Sequence, residues 1–351
     1  MIESWGFYLF APGKAGHSDT SLSAAEAQET YDSYMQLWVS CEEFGFDGLA
    51  FAEHHFRPEN LSPSTHLLVA SLAARTGKLR FTTLGSVLAL HDARRYVEEI
   101  GMLDYLTHGR FEPGIAPGAG DVEAVTAGLP AAEIRPRYYS GAEVLAKAIA
   151  GPQVTHHDAF YNLEQVPIIP PMRERTGRAV WVTVMSPDSA AWAAERGYKM
   201  CTAWLPTPAA DALGARYREA ADAAGRTAGP AMLGLRRRVF VADSDAEAQE
   251  KCAAATDRVA GLLGLGFETA DSQIRKMAMD PDDFAIGSPE TVAEKLMEQC
   301  RSGGYGSVMH FTDFAGFTQQ DLIRSHELIG RQVAPLLRSA DVGSAAGHAV
   351  A

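Results

Sequence analysis

Cysteine is scarce in this chain of 351 residues: Cys41, Cys201, Cys252 and Cys300 lie far apart and form no C-x-x-C pair. Zinc ribbons and thioredoxin-like redox motifs are thereby excluded, and scattered thiols suit the reduced core of a cytoplasmic protein. Long hydrophobic runs are missing too. No apolar stretch reaches the roughly 18 residues of a membrane helix. The opening MIESWGFYLF carries Glu3 and no basic residue, unlike a signal peptide. Basic charge is in short supply: Lys and Arg number 31 against 44 Asp and Glu, a net charge of -13. A nucleic-acid partner is not expected, because phosphate contacts need clustered basic surface. The one basic run, Arg236-Arg237-Arg238, sits inside a strand-like stretch and is too short for such a footprint. A first-turn G-x-G-x-x-G is also absent: Ala11-Pro12-Gly13-Lys14 follows the first apolar run, which argues against a dinucleotide-binding doubly wound sheet.

What is present is an ordinary globular balance, 46% hydrophobic and 21% charged, in which short apolar runs alternate with stretches of helical period. Strands are predicted at Trp5–Phe10, Asp47–Ala52, Leu79–Leu88, Arg110–Ile115, Ala179–Val184, Lys199–Ala203, Met232–Val241 and Ser307–Phe311. Helices are predicted over Ala24–Phe44, closed by Gly45, from Ser62-Pro63 to Thr76-Gly77, and over Asp92–Leu106. Later ones follow Ser186-Pro187, cover Pro208–Ala224 and Ser244–Leu263, follow Ser288-Pro289, and end with Gln319–Leu337. Most of the eight strands lead into a helix, the order of a (β/α)8 TIM barrel. The reading is one α/β domain over residues 1–338 and a disordered tail over 339–351. Two long loops are expected at the C-terminal mouth: proline-rich Gly151–Arg178, and Gly264–Ile286, a candidate lid.

Barrel chemistry sits at the C-terminal ends of strands. The second strand ends in Ala52-Glu53-His54-His55-Phe56. A histidine there suits proton transfer near neutral pH. Neighbouring His54 and His55 cannot face the same way, so one reactive and one structural histidine is one reading, and two core histidines held by Glu53 is the other. No metal site is expected, since the i, i+4 spacing of a zinc helix is lacking. Gly114-Ile115-Ala116-Pro117-Gly118-Ala119-Gly120 allows a backbone to approach a ligand, or simply a tight bend. Ser186-Pro187-Asp188-Ser189 opens a helix and reads as an N-cap or an anion site. His310, near the end of the eighth strand, reads either as a hydrogen-bonded rim histidine or as a substrate contact, and His55 is a second candidate for substrate contact.

In this order the segments resemble the bacterial luciferase-like flavin monooxygenases, from Trp5 to Leu337. The segments are Gly45–Phe56 (GFDGLAFAEHHF), Met102–Phe111 (MLDYLTHGRF), Val180–Val184 with Ser186 and Trp192-Ala193-Ala194, and Gly287–Leu296 (GSPETVAEKL). The resemblance implies a barrel that binds reduced FMN at its mouth, with FMNH2 supplied by a separate NAD(P)H:flavin reductase and O2 adding at flavin C4a to give a peroxyflavin. It implies that His54 is the acid/base beside the oxygen, and that Leu84 and Gly85 lie against the isoalloxazine. Ala116 stands where luciferase has a cysteine near C4a, in a turn completed by Gly118. Glu123 matches an acidic position near the flavin, and Ser186 and Ser189 fall in the phosphate loop. Pro117 departs from the pattern, replacing a phosphate-binding arginine, which leaves the phosphate to Ser186, Ser189, backbone groups or another cation, with Arg135 and Arg137 as candidates. The glycine turn is similar to that of diketocamphane and limonene monooxygenases, which implies a small apolar substrate and Baeyer–Villiger oxidation of a ketone. A homodimer through Ser62–Thr76 and Asp92–Leu106 is implied as well. The alternatives are an F420-dependent hydride-transfer oxidoreductase and a non-catalytic flavin-binding paralogue.

Overall fold

The computed structural model describes residues 1–10, 22–56, 60–118, 121–173, 180–263, 284–314 and 316–342. Strands β1 (Glu3–Tyr8), β2 (Gly48–Phe51), β3 (Arg80–Thr83), β4 (Ser86–Val87), β5 (Phe111–Glu112) and β6 (Gly114–Ala116) come from the first third of the chain. A hairpin, β7 (Gln153–His157) and β8 (Asn162–Pro167), follows. The rest are β9 (Trp181–Val184), β10 (Lys199–Thr202), β11 (Leu233–Val241), β12 (Phe284–Gly287) and β13 (Ser307–Phe311). Ten strands run side by side and parallel in the order β4-β6-β9-β10-β11-β13-β1-β2-β3-β5, and β12 pairs with β11 off this path. Leu84-Gly85 joins β3 to β4 and Pro113 joins β5 to β6, so both ends of the path belong to the same two chain segments. The sheet therefore curls back on itself in a TIM-barrel-like form, with helices outside.

Parallel strands covered by helices are buried on both faces, which is why they read as near-continuous apolar runs. Alternation then sorts the side chains. Trp5, Phe7, Ala50, Trp181, Cys201, Met309 and Phe311 form one buried cluster inside the curl, whereas Tyr8, Leu49, Phe51 and Val308 belong to the larger cluster beneath the helices. The helices start where their caps dictate. In α1 (Ala24–Phe44), Ser23 and Glu26 form a reciprocal capping box, and Gly45 closes the helix at φ 103°. Close approach forces one further glycine. A Cβ on Gly114 would lie 1.8 Å from the Thr83 carbonyl oxygen, where β3 passes into β4.

Several sequence expectations change. The stretch 151–178 is not all loop, because it contains the β7–β8 hairpin, held by buried Val154 and Leu163. Its alternating polar residues masked the strand signal. Residues 264–283 of the expected lid lie outside the described residues, and Phe284–Ile286 belong to β12, paired with β11. Helix Ala131–Ala150 was not anticipated: Pro130 and Pro136 read as punctuation, yet Pro130 is its N-cap and Pro136 lies within it. The last helix is divided by a π-helical turn, Ile329–Val333, where Gly330 packs directly on the Phe44 backbone. Ala340 and Val342 are buried, so the tail is packed at least that far, and residues 343–351 lie outside the described residues. Among the described residues no helix is long and apolar enough to cross a membrane.

Candidate active site

A cavity of about 560 Å³ opens where the strands end. Ala52 and His54 follow β2, Leu84 and Gly85 lie between β3 and β4, and Ala116, Pro117 and Gly118 come from the end of β6. Met185, Ser186 and Ser189 follow β9, and Ala203 and Trp204 follow β10. The volume lies within the ~300–1,000 Å³ typical of small-molecule pockets. The strand-end rule thus places His54, Leu84, Gly85, Ala116, Gly118, Ser186 and Ser189 on one wall system, although they are scattered over more than a hundred residues of sequence.

His54 Nδ1 lies 2.9 Å from Glu123 Oε1, and Glu123 is buried on the short helix Asp121–Thr126. A carboxylate only accepts, so this pair sets Nδ1–H toward Glu123 and leaves Nε2 for proton exchange. His55 is turned elsewhere. Its Nε2 and that of His91 lie 2.9 and 2.8 Å from Glu53 Oε1, which also accepts from the Val87 N–H at 3.1 Å. Burial alone would raise the Glu53 pKa, but the hydrogen bonds and charges of His55 and His91 outweigh it and hold it at about 2. The two histidines therefore divide into a cavity group and a structural group, and it is His55, not His54, that Glu53 holds. His55 does not line the cavity, which corrects its expected contact with substrate. Glu53, His55 and His91 are close enough together to suit a metal ion, but nothing beyond that spacing points to one.

His310 does not reach the cavity either. It pairs in register with Gly6 on the outward face of β13, between inward-facing Met309 and Phe311. There it is fully buried, with Nε2 2.8 Å from Ser4 Oγ and its ring edge-on to Phe46. Burial, with a smaller push from His326, lowers its pKa to about 3. Strand alternation decides this, and proximity to a strand end had concealed it.

Ser186 and Ser189 do both things the sequence allowed. They form a reciprocal cap on helix Pro187–Glu195, Ser186 Oγ accepting from the Ser189 N–H and Ser189 Oγ from the Ser186 N–H, and both line the cavity. Of the two candidate cations, Arg137 is engaged by Glu133 at 2.7 Å and lies over the Phe160 ring. Arg135 lines the cavity, and no ion pair engages it among the described residues.

Several cavity residues escaped the sequence reading of function, among them Tyr138 and Arg236. Arg236 is the most informative. All nine residues of β11 are buried, and the register pairs Arg236 with Met309, Arg237 with His310 and Arg238 with Phe311. Arg236 and Arg238 therefore face inward and Arg237 outward, where its guanidinium donates to Gln299 Oε1, Thr207 Oγ1 and the Leu205 carbonyl. The available signal was three arginines with apolar neighbours on both sides, which a doubly covered strand must bury.

The sequence model of the luciferase-like monooxygenases matches residues 6–306. Uncharacterized protein y4wF of Sinorhizobium fredii is 32% identical over 306 residues, covering 82% of this chain and 86% of its own. Among solved structures, the oxygenating constituent of 3,6-diketocamphane monooxygenase of Pseudomonas putida, a type II Baeyer–Villiger enzyme in complex with FMN, has a TM-score of 0.78. It is 22% identical, with 95% of this chain and 98% of that chain covered. An F420-dependent secondary alcohol dehydrogenase has a TM-score of 0.70 at 12% identity, with 96% and 99% covered. These last two likenesses are of fold.

Proposed function

The chain belongs to the luciferase-like monooxygenase family, and from that premise we propose that it is an FMNH2- and O2-dependent monooxygenase built as a barrel of eight βα units. The observation that carries this reading is the His54–Glu123 pair on the wall of the strand-end cavity, alongside Leu84, Gly85 and Ala116. The residues present suit an anionic flavin. Ser186, Ser189 and the first turn of helix Pro187–Glu195 offer hydroxyls and a positive helix end, and Arg135 offers a cation without an ion-pair partner among the described residues. Reduced FMN, when bound, supplies the electrons and the carbon at which oxygen is activated.

The chain's own residues do the rest. Ser186, Ser189 and Arg135 hold the phosphate, replacing the arginine that Pro117 displaces. Leu84, Gly85 and Ala116 leave a flat surface for the ring. His54 Nε2 takes up and returns a proton at the reacting oxygen while Glu123 keeps the imidazole oriented. Phe7, Val182 and Trp204 keep water away from the reacting centre. A small ketone undergoing Baeyer–Villiger oxygen insertion is the finer reading of the substrate. A separate NAD(P)H:flavin reductase supplies the reduced flavin, and the enzyme works in the cytoplasm. A homodimer is supported by exposed Leu67 on helix Thr65–Ala73 and by exposed Met102, Tyr105 and Leu106 on helix Ala93–Leu106.

The test mixes protein with anaerobic FMNH2 and then adds oxygen. Flavin reoxidation slower than in buffer, with less than stoichiometric hydrogen peroxide when a ketone is present, is the expected result. Reoxidation at the free rate, together with reduction of F420 by a secondary alcohol, would replace the reading with hydride transfer. For the phosphate, Arg135→Ala is expected to weaken FMN binding about tenfold, the worth of one charge-assisted contact. Riboflavin binding should not change. Flavin fluorescence titration measures both.

A further inference from the structure

Arg236 presents to the cavity a buried positive charge that no acidic group neutralises among the described residues. Its side chain is 4% exposed and lines the cavity, and Nε has no hydrogen-bond partner. Its nearest polar neighbours among the described residues are neutral: Nη2 lies 3.4 Å from Thr183 Oγ1, and the Cys201 thiol is adjacent. The guanidinium lies 4.0 Å from the Phe7 ring centroid and 5.2 Å from that of Trp204. Trp204 also carries Arg238 at 4.7 Å. Cation–π contacts offset only part of what burying a charge costs. Burial correspondingly pulls the Arg236 pKa down.

Unpaired buried charge of this kind is retained where a ligand brings the opposite charge. The cavity has two cations differently placed. Arg135 is exposed on helix Ala131–Ala150, whereas Arg236 is buried against the rings of Phe7 and Trp204. We infer that Arg236 is a specificity residue that binds an anionic oxygen, a carboxylate or phenolate, on an otherwise apolar substrate whose body packs against Phe7 and Trp204. The inference rests on the proposed function only in naming the ligand a substrate. The same chemistry could come from the flavin, so the experiment separates the two sources.

Calorimetric titration of the full-length protein, without flavin, compares benzoate, 2-naphthoate and decanoate with their uncharged carboxamides. At least one carboxylate is expected to bind tenfold or more tightly than its amide. That preference should vanish in Arg236→Gln and return in part in Arg236→Lys, with FMN affinity unchanged within about twofold. A purely packing role would not produce a charge preference restored by lysine. If no carboxylate outbinds its amide in the unmodified protein, the inference is overturned, and that result does not depend on a variant folding. If Arg236→Gln weakens FMN binding tenfold and carboxylate preference is absent, the flavin is the partner and the inference also fails. Neither result bears on oxygen reactivity, which the FMNH2 experiment measures separately.

Discussion

Replacing His54 by alanine is expected to lower product formation about 10²–10³-fold, the usual worth of a positioned acid/base, while FMN affinity stays within about threefold. The argument is local. Glu123 occupies Nδ1 at 2.9 Å, so a single nitrogen remains for chemistry, and among the described residues no other histidine lines the cavity. His55 and His91 are committed to Glu53, and His310 lies on the far side of the sheet. Oxygen uptake should persist in the variant, with hydrogen peroxide replacing oxygenated product, because proton management and not oxygen activation is lost. Glu123→Gln keeps a hydrogen bond but removes the fixed acceptor, and the expected loss is smaller, about tenfold, with a shifted pH–rate profile. Stopped-flow spectra with product and peroxide assays check both variants. Unchanged product formation in His54→Ala would leave the cavity without an acid/base.

Acidification is expected to destabilise the fold from an unusually high pH. His310 and His326 are both fully buried, and burial, the leading cause in each, lowers their pKa values to about 3 and about 4. His326 is fixed neutral on both sides: Nδ1 donates to the Leu322 carbonyl at 2.7 Å, and Nε2 accepts from the Tyr8 hydroxyl at 2.8 Å. The unfolded chain takes up protons at these sites near pH 6.5 while the native protein does not. Stability is therefore complete above pH 6.5 and falls as pH drops through 6.5 toward 4 and 3. The loss is about 2 kcal/mol per histidine at pH 5, at 1.36 kcal/mol per pH unit. His91 works in the opposite direction. Burial lowers its pKa, but the bond to Glu53 raises it overall, so its contribution is present below pH 6.5 and fades as pH rises. Glu53, held at about 2, loses its contribution only below pH 4.5. Urea unfolding at pH 8, 6.5 and 5 measures the slope. His310→Gln should flatten it, and a profile with no change between pH 8 and pH 5 would contradict the assignment.

These two expectations draw on different layers of information. The outline of the curled parallel sheet was legible because each strand is covered on both faces and must be apolar throughout, as in VWVTV and SVMHF. The helix starts at Ser186 and Ser288 were legible because capping is a local reaction between a side chain and nearby backbone N–H groups. The hairpin of Gln153–Pro167 and the helix behind Pro130 were not, since each is stabilised by burial of a few residues that no local pattern emphasises. The glycine turn after β6 showed that a backbone could approach a ligand there, but not which cations would stand near it.

The sequence by itself determined the class of fold, the family and the strand end that carries His54, because composition, period and contiguous motifs are properties of the chain alone. Tertiary structure decided which way each side chain faces and what it meets. It gave His54 to Glu123 and His55 to Glu53, and it sent His310 and Arg237 beneath the helices and Arg236 into the cavity. The physical reason is the two-residue period of a strand. A shift of one position exchanges a ligand-facing group for a core group, and only pairing register with strands distant in sequence sets that position.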